Sequence, residues 1–260
     1  MAMNCRGIVA AYSRVELPVV FCDEHLVAVH KPSGLLVHRS PVDRRERRFA
    51  VQELRQQLGR HVYPVHRLDK GTSGLLLFAL DRETGRRLSL QFAERSVHKT
   101  YVAVVRGHPP EAGEIDHPLR AIADEYGGAS STREQQAITA FRRLATAELP
   151  CRVDRYPTSR YALLELQPLT GRRHQLRRHL KHVSHPIIGD ATYGKGRHNR
   201  LFQTLFASDR LLLACTELRL NHPVSGQPLL LRCPLAADFL SVTAALGWQL
   251  PSNPSTATTC

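Results

Sequence analysis

The sequence predicts an α+β fold with a central mixed, mostly antiparallel β-sheet flanked by helices and loops. Short β-like runs cluster along the 260-residue chain, separated by Gly, Pro and charged turns, and they do not alternate strictly with helices. Residues 74–80 form a continuous apolar run, which is typical of a strand buried on both faces. Val19–Cys22 and residues 26–30 flank Asp23-Glu24, which predicts a hairpin.

The remaining elements follow from apolar spacing and from end signals. Further strands are predicted over residues 100–105 and 161–166. One helix is predicted over residues 51–58, with Gly59 as the stop, and a second from the cap Asp81 to about residue 95. A third is predicted over residues 172–183, with Thr170 as the cap, and a fourth in the C-terminal stretch between Pro234 and Gly247. We expect an extension over 1–16, one domain over 17–250, a disordered tail over 251–260 and a long surface loop over 121–136.

The charge balance favours an anionic partner. The chain carries 36 Lys+Arg against 23 Asp+Glu, a net charge of +13, which suits a nucleic acid or a membrane surface. Most of these cations are Arg, whose planar fork binds phosphate with two hydrogen bonds, although genome composition is an equally good explanation of the Arg excess.

Several classes of protein are disfavoured by what the sequence lacks. No stretch approaches 18 apolar residues, so no membrane span is predicted, and the first residues lack a secretory signal pattern. The six cysteines contain no close pair such as C-x-x-C, which predicts reduced thiols in a cytosolic protein rather than a zinc site or a disulfide framework.

Residues 66–74 (HRLDKGTSG) form the first segment that could carry chemistry. They lie between two β-like runs and place Asp69 beside Arg67 and Lys70, so the carboxylate should stay ionised. An ionised carboxylate on an ordered loop can act as a nucleophile or a base. The structural alternative is a turn in which Asp69 only accepts backbone N–H bonds.

Residues 170–182 (TGRRHQLRRHLKH) form the second such segment. On a helix, Arg173 and Arg177 would lie one turn apart, as would His174 and Arg178, giving a basic face suited to a phosphate backbone. One Arg could also turn inward toward a carboxylate, and the alternative is a solvated helix face. The histidines in and just after this segment lack a familiar metal-ligand spacing, so no metal is predicted.

Residues 189–196 (GDATYGKG) nearly match a phosphate-binding loop. The match fails at Gly196, where a Ser or Thr hydroxyl would hold magnesium, and the next residues are not an apolar helix start. We therefore expect a turn that touches a nucleic-acid phosphate rather than a nucleotide-hydrolase site.

Together these segments resemble the RluA-type RNA pseudouridine synthases. Residues 66–74 resemble the family signature H-R-L-D-x-x-T-S-G, and residues 31–34 (KPSG) with Val37-His38 resemble the upstream K-P-x-G motif. Residues 99–103 and 106–107 resemble the segment with the active-site Tyr, residues 170–179 and 185–190 the third motif and its continuation, and residues 222–226 a late turn. The motifs occur in the family's order and cover about residues 17–248.

The resemblance implies isomerisation of uridine to pseudouridine without a cofactor or metal. It implies that Asp69 attacks the sugar or stabilises its developing charge, that Arg177 pairs with Asp69, and that Tyr101 stacks on the uracil or assists proton transfer. Arg67 would fill the place of the flipped base. The other substrate-binding residues that it implies are His66, Leu68, Thr72, Leu176, Lys31, His38, Arg172, Arg173 and Arg178.

The substrate is a further expectation from the resemblance. Residues 31–40, 155–158 and 175–180 are similar to a subgroup acting on a uridine of tRNA, position 65 on the T-stem side. The alternatives are a synthase acting on 23S large-subunit rRNA and a noncatalytic RNA-binding protein. We expect a cytoplasmic monomer that binds RNA and no membrane. One position departs from the family, since Ala214 stands where a His is usual, which should affect packing or RNA contact rather than the reaction.

Overall fold

The computed structural model describes residues 16–39, 46–122 and 131–249 and has a large central β-sheet flanked by helices. Ten strands form this sheet, and all its strand pairings are antiparallel except that between β4 (Ser73–Ala79) and β11 (Leu213–Asn221). The predicted α+β fold class is therefore confirmed.

Twelve strands and five helices occur in the described ranges. The other strands are β1 (Val19–Cys22), β2 (Leu26–Lys31), β3 (Tyr63–Pro64), β5 (His98–Arg106), β6 (Ala112–Asp116), β7 (Leu119–Ala121), β8 (Ser131–Gln135), β9 (Ile138–Leu149), β10 (Ser159–Pro168) and β12 (Pro228–Arg232). The helices are α1 (Ala50–Leu58), α2 (Arg82–Ala93), α3 (Gln175–His182), α4 (Gly196–Phe206) and α5 (Ala237–Ala245).

The strand order places a late strand at the centre of the sheet. The order is β1-β2-β4-β11-β5-β10-β9-β6, with β3 paired to β4 and β12 to β11. Strand β11 thus joins the strand after the Asp69 loop to the strand that carries Tyr101. Gly74 permits this approach, because its φ is +102° and a Cβ there would overlap the Cys215 carbonyl.

Alternating side chains give the sheet a core on each face. On β5, Tyr101 and Ala103 belong to one buried cluster and Val102 and Val104 to the other. Helices α1, α2 and α3 contribute to the first cluster, and α4 and α5 contribute to the second. Ala214 is 2% exposed and belongs to the second cluster, so the residue that departs from the family pattern packs on the face opposite Tyr101.

Several local predictions are confirmed. The β1–β2 hairpin forms, and all seven residues of β4 are buried. Helix α1 ends at Gly59, whose φ of +64° suits a glycine. Helix α2 is capped by Asp81, whose Oδ1 accepts the Thr84 N–H at 2.8 Å.

Two helix starts were predicted wrongly. Helix α3 begins only at Gln175, because His174 has φ +54° and interrupts the helical path, so Arg172 and Arg173 precede the helix. The Thr170 hydroxyl bonds the Gln175 side chain instead of capping residue 172. Helix α5 begins at Ala237, three residues after Pro234.

Two predicted non-regular segments contain secondary structure. The predicted surface loop over 121–136 contains the last residue of β7 and all of β8, and these two strands pair antiparallel. Residues 123–130 lie outside the described residues. Helix α4 begins at Gly196, where the sequence predicted no helix. Its polar first turn is anchored by His198, which is 4% exposed and hydrogen bonded through Nδ1 to the Tyr161 hydroxyl at 2.8 Å.

The chain ends and cysteines complete the comparison. Apart from Glu16, the predicted extension over 1–16 and the tail over 251–260 lie outside the described residues, and the single domain over 17–250 stays a prediction. Cys22 is disulfide-bonded, so the prediction of reduced thiols is wrong for this residue, whereas Cys151, Cys215 and Cys233 are free. Within the described ranges, no helix has the length and apolar character needed to cross a membrane.

Candidate active site

Asp69 lies on the loop between β3 and β4, which the segment after β2 braces. The Lys31 ammonium donates to the carbonyls of Pro32, Leu35 and Lys70 at 2.9, 2.7 and 3.1 Å. These three acceptors match its three N–H donors. The Gly34 N–H adds a bond to the Lys70 carbonyl at 2.8 Å. The K-P-x-G motif therefore holds the backbone next to Asp69.

This placement differs from the predicted substrate contact of Lys31. The side chain is fully buried, and burial lowers its pKa to about 7, while Asp69 opposes the shift and Arg210 adds to it. The contacts of its ammonium in the structure are with carbonyl groups of the loop backbone. His38 also lies outside the cavity lining, because residues 36 and 37 pair with the start of α1 through the N–H groups of Ala50 and Val51.

The structure brings the predicted pair Asp69 and Arg177 together. Arg177 Nη1 lies 3.3 Å from Asp69 Oδ2, and both side chains are largely buried. The other two guanidinium nitrogens, Nε and Nη2, bond Asp190 at 2.7 and 2.9 Å. His174 is the second neighbour, with Nε2 3.9 Å from Asp69 Oδ1. The carboxylate is thus faced by a cation on one oxygen and by an imidazole on the other.

Tyr101 forms part of the cavity wall on β5. Burial raises its pKa well above the usual value, and Cys215 and Asp69 add to this shift. The phenol is therefore protonated at neutral pH, so it offers a flat ring for stacking and an O–H donor rather than a base.

A cavity of about 500 Å³ connects these groups. Its described lining contains eight cationic side chains and one carboxylate, Asp69. The cations are Arg67, Arg95, Lys99, Arg120, Arg172, Arg173, Arg177 and Arg178. Apolar walls come from residues such as Leu68, Leu176 and Leu213. The cavity therefore suits a polyanion that presents an uncharged ring to a carboxylate.

Most predicted site residues reach this cavity. Besides Asp69, Tyr101 and Arg177, the lining includes the predicted residues His66, Arg67, Leu68, Thr72, Leu176, Arg172, Arg173 and Arg178. Two of the arginines are tethered to main-chain carbonyls, with Arg172 Nε 3.1 Å from the Gln136 oxygen and Arg178 Nη1 2.9 Å from the Arg120 oxygen. These bonds hold the two guanidinium groups at the cavity lining.

Two contacts hold the His66 side chain in a fixed position. Its ring stacks on Phe92 with centroids 4.9 Å apart, and its Nε2 accepts the Leu77 N–H at 3.0 Å. Burial, together with the charge of Lys99, lowers the pKa of His66 to about 3. The imidazole is therefore neutral at physiological pH.

Sequence reasoning did not single out several residues that line or support the cavity. Lys99 lies two positions before Tyr101 on the same strand face, so strand periodicity was a usable signal for it. Arg95, Arg120 and Phe92 line the cavity without any local pattern that marks them. Asp190 was predicted only as part of a turn and of the continuation of the third motif, without a role, and its contact with Arg177 depends on the fold. In the described ranges, no group of three or more His, Cys, Asp or Glu side chains is arranged to hold a metal ion.

Comparison with known proteins identifies relatives over most of the chain. The family model for RNA pseudouridylate synthase matches residues 25–182. A tRNA pseudouridine synthase C from Vibrio cholerae is 48% identical, with 90% of this chain and 97% of that protein covered. One from Pectobacterium carotovorum is 51% identical over 90% of this chain, which spans only 63% of that longer protein.

Solved structures agree with these matches. Human RNA pseudouridylate synthase domain containing 4 has a TM-score of 0.67 and 26% identity, covering 90% of this chain and 95% of that structure. The described part of the chain thus has the fold of that domain, with an Asp–Arg pair in the cavity described above. The chain belongs to the RNA pseudouridylate synthase family.

Proposed function

We propose that this protein isomerises one uridine of tRNA to pseudouridine, at position 65, with Asp69 as the reacting carboxylate. The observation that carries the proposal is the pairing of Asp69 with Arg177 in a cavity whose other described charges are cationic. A phosphate backbone can bind such a rim while one nucleoside meets the single carboxylate inside.

The reaction uses the carboxylate in the way that glycoside-cleaving enzymes do. Asp69 attacks C1′ or stabilises the positive charge that develops on the ribose as the N-glycosidic bond breaks. The released uracil turns within the cavity, and its C5 forms the new bond to C1′. Where Asp69 has bonded to C1′, that bond breaks in this step and the free carboxylate is restored. The proton leaves C5 and N1 gains one, so the overall change is an isomerisation that needs no oxidant or external group.

The walls of the cavity support this sequence of steps. Leu68, Leu176 and Leu213 present apolar surface that excludes water, which would otherwise hydrolyse the intermediate. Tyr101 offers its ring to the detached uracil and, since its phenol is protonated, a donor to a uracil oxygen.

Access to a uridine in a stem requires base flipping. Flipping a base out of a stack costs a few kcal/mol. Arg67 would occupy the vacated position, and its place in the cavity lining two residues before Asp69 supports this role. Arg172, Arg173 and Arg178 would hold the adjacent backbone.

The tRNA substrate is supported by the names of the relatives, which are tRNA pseudouridine synthases C. Large-subunit rRNA is the alternative substrate, and a noncatalytic RNA-binding role is the alternative function. We further propose that the protein is a cytoplasmic monomer.

Two variants and one mapping experiment test the function. Asp69→Asn should abolish pseudouridine formation and leave tRNA affinity largely intact, whereas Asp116→Asn, an exposed carboxylate on β6, should change neither. Arg67→Ala should slow turnover more than it weakens binding, with Arg86→Ala on α2 as the matched control. Turnover by Asp69→Asn would refute the role of Asp69.

Mapping of pseudouridine in a strain lacking the protein decides the substrate. Loss at position 65 of tRNA alone supports the proposal. Loss at an rRNA site would identify the alternative substrate, and no loss at any site would favour the noncatalytic role.

A further inference from the structure

The loop of residues 189–194, between α3 and α4, lies directly behind the groups that face Asp69. Its Asp190 carboxylate is 1% exposed and accepts the N–H groups of Thr192 and Tyr193 at 2.9 Å each. Burial opposes ionisation, but Arg177 and the Tyr193 amide lower the pKa of Asp190. The loop therefore presents a buried carboxylate to Arg177.

Asp190 determines the orientation of Arg177. Its two oxygens bond Nη2 and Nε of the guanidinium at 2.9 and 2.7 Å. Because the guanidinium is planar, these two bonds fix its plane and leave Nη1 directed at Asp69, 3.3 Å away.

Tyr193 makes the equivalent contact to His174. The Tyr193 hydroxyl is hydrogen bonded to His174 Nδ1 at 3.1 Å, while Nε2 of the same ring faces Asp69. The Tyr193 ring also lies against two cations, with Arg177 5.0 Å and Lys181 5.7 Å from its centroid. The backbone of His174 is left-handed, which is uncommon outside glycine and is held here by surrounding contacts.

The loop has little freedom to move. Gly189 has φ +79°, and a Cβ there would overlap the Arg210 carbonyl. Asn199 of α4 bridges the loop, since its Oδ1 accepts the Gly189 N–H at 2.9 Å and its Nδ2 donates to the Asp190 carbonyl at 3.1 Å. The backbone that carries Asp190 and Tyr193 is therefore held in one conformation.

We propose that the 189–194 loop aligns the reactive carboxylate: Asp190 positions Arg177 against one oxygen of Asp69, and Tyr193 positions His174 against the other. Among the described residues, neither Asp190 nor Tyr193 lines the cavity, so both act as positioning residues. The inference rests on the proposed function, in which Asp69 is the reacting group. It assigns to this loop a role in the chemical step rather than in phosphate binding.

Single-turnover kinetics with saturating tRNA separate the chemical step from binding. Asp190→Asn should lower the rate constant on the order of 100-fold, the effect of misplacing a catalytic group by about 1 Å, with the tRNA Kd within about threefold of wild type. Tyr193→Phe should lower it about 10-fold, the effect of one lost hydrogen bond. The double variant should lose less than the product of the two, because both residues act on one carboxylate.

Matched controls remove the same kinds of contact elsewhere. Tyr161→Phe deletes a Tyr–His hydrogen bond of 2.8 Å outside the cavity, and Glu165→Gln neutralises a carboxylate that Arg142 Nη2 contacts at 3.2 Å through both oxygens. Neither control should change the rate constant. The thermal unfolding transition of each variant is measured first, so that all rates are recorded below it. If Asp190→Asn does not fold, the rate constant of Tyr193→Phe tests the proposal.

Three outcomes would contradict the proposal. Wild-type rates in both Asp190→Asn and Tyr193→Phe would overturn it while leaving the proposed function intact, provided that Asp69→Asn is inactive. A loss of tRNA affinity at an unchanged rate constant would show that the loop binds RNA instead. Activity in Asp69→Asn would refute the role of Asp69 as the reacting carboxylate, on which the inference rests.

Discussion

The neutral imidazole of His66 makes the stability of the protein depend on pH in a specific direction. The pKa of His66 falls from 6.5 to about 3 in the folded protein, chiefly through burial. The unfolded chain therefore binds this proton first as the pH falls. The contribution to stability is complete above about pH 6.5 and is lost progressively down to about pH 3.

The size of the effect follows from these two pKa values. Between pH 7 and pH 5 the unfolded imidazole becomes almost fully protonated and the folded one does not, which costs about 2 kcal/mol. At pH 3 and below the accumulated loss approaches about 5 kcal/mol. His66→Gln retains an acceptor for the Leu77 N–H but cannot titrate, so it should lack this loss.

Urea unfolding at pH 7, 6 and 5 measures the difference between wild type and His66→Gln. Groups common to both proteins cancel in that comparison, including His179 and His198, whose pKa values burial also lowers. His61→Gln, at an exposed position, is the control and should behave like wild type. Parallel pH dependence of wild type and His66→Gln would refute the reasoning.

Three further predictions concern the contacts of Lys31 with the Asp69 loop, the close approach of β4 and β11, and the binding of RNA. Lys31→Met removes the donor to the carbonyls of Pro32, Leu35 and Lys70, of which the Leu35 bond is buried and the Lys70 oxygen keeps its bond from the Gly34 N–H. A buried carbonyl left unsatisfied costs about 1–3 kcal/mol, so urea unfolding should show a loss of about 2 kcal/mol, and a stability equal to that of Lys195→Met would contradict it. Gly74→Ala should destabilise the protein far more than Gly34→Ala, whose added Cβ meets no atom within 4 Å, and similar melting temperatures would argue against the tight β4–β11 approach. Replacing Arg172 by Ala should reduce the slope of log Kd for tRNA against log salt concentration by about 1, and an unchanged slope would remove it from the backbone contacts.

Local patterns predicted those parts of the fold that short-range interactions set. The alternation around β1 and β2, the apolar run of β4 and the Asp81 cap of α2 each involve neighbours in the chain. The start of α3 was predicted wrongly because His174 leaves the helical conformation, and its ring contacts Tyr193, nineteen positions away. Spacing alone carries no information about such a partner.

By itself the sequence determined the fold class, the family resemblance, the basic charge and the identity of Asp69 and Arg177 as a candidate pair. Only the tertiary structure decided that β11 lies between β4 and β5, that Lys31 bonds the backbone of the Asp69 loop, and that Asp190 bonds the far side of Arg177. The physical reason is that these contacts join distant segments. Which of these segments come into contact depends on the surfaces that the whole chain can bury together. Local periodicity and short motifs do not specify these contacts.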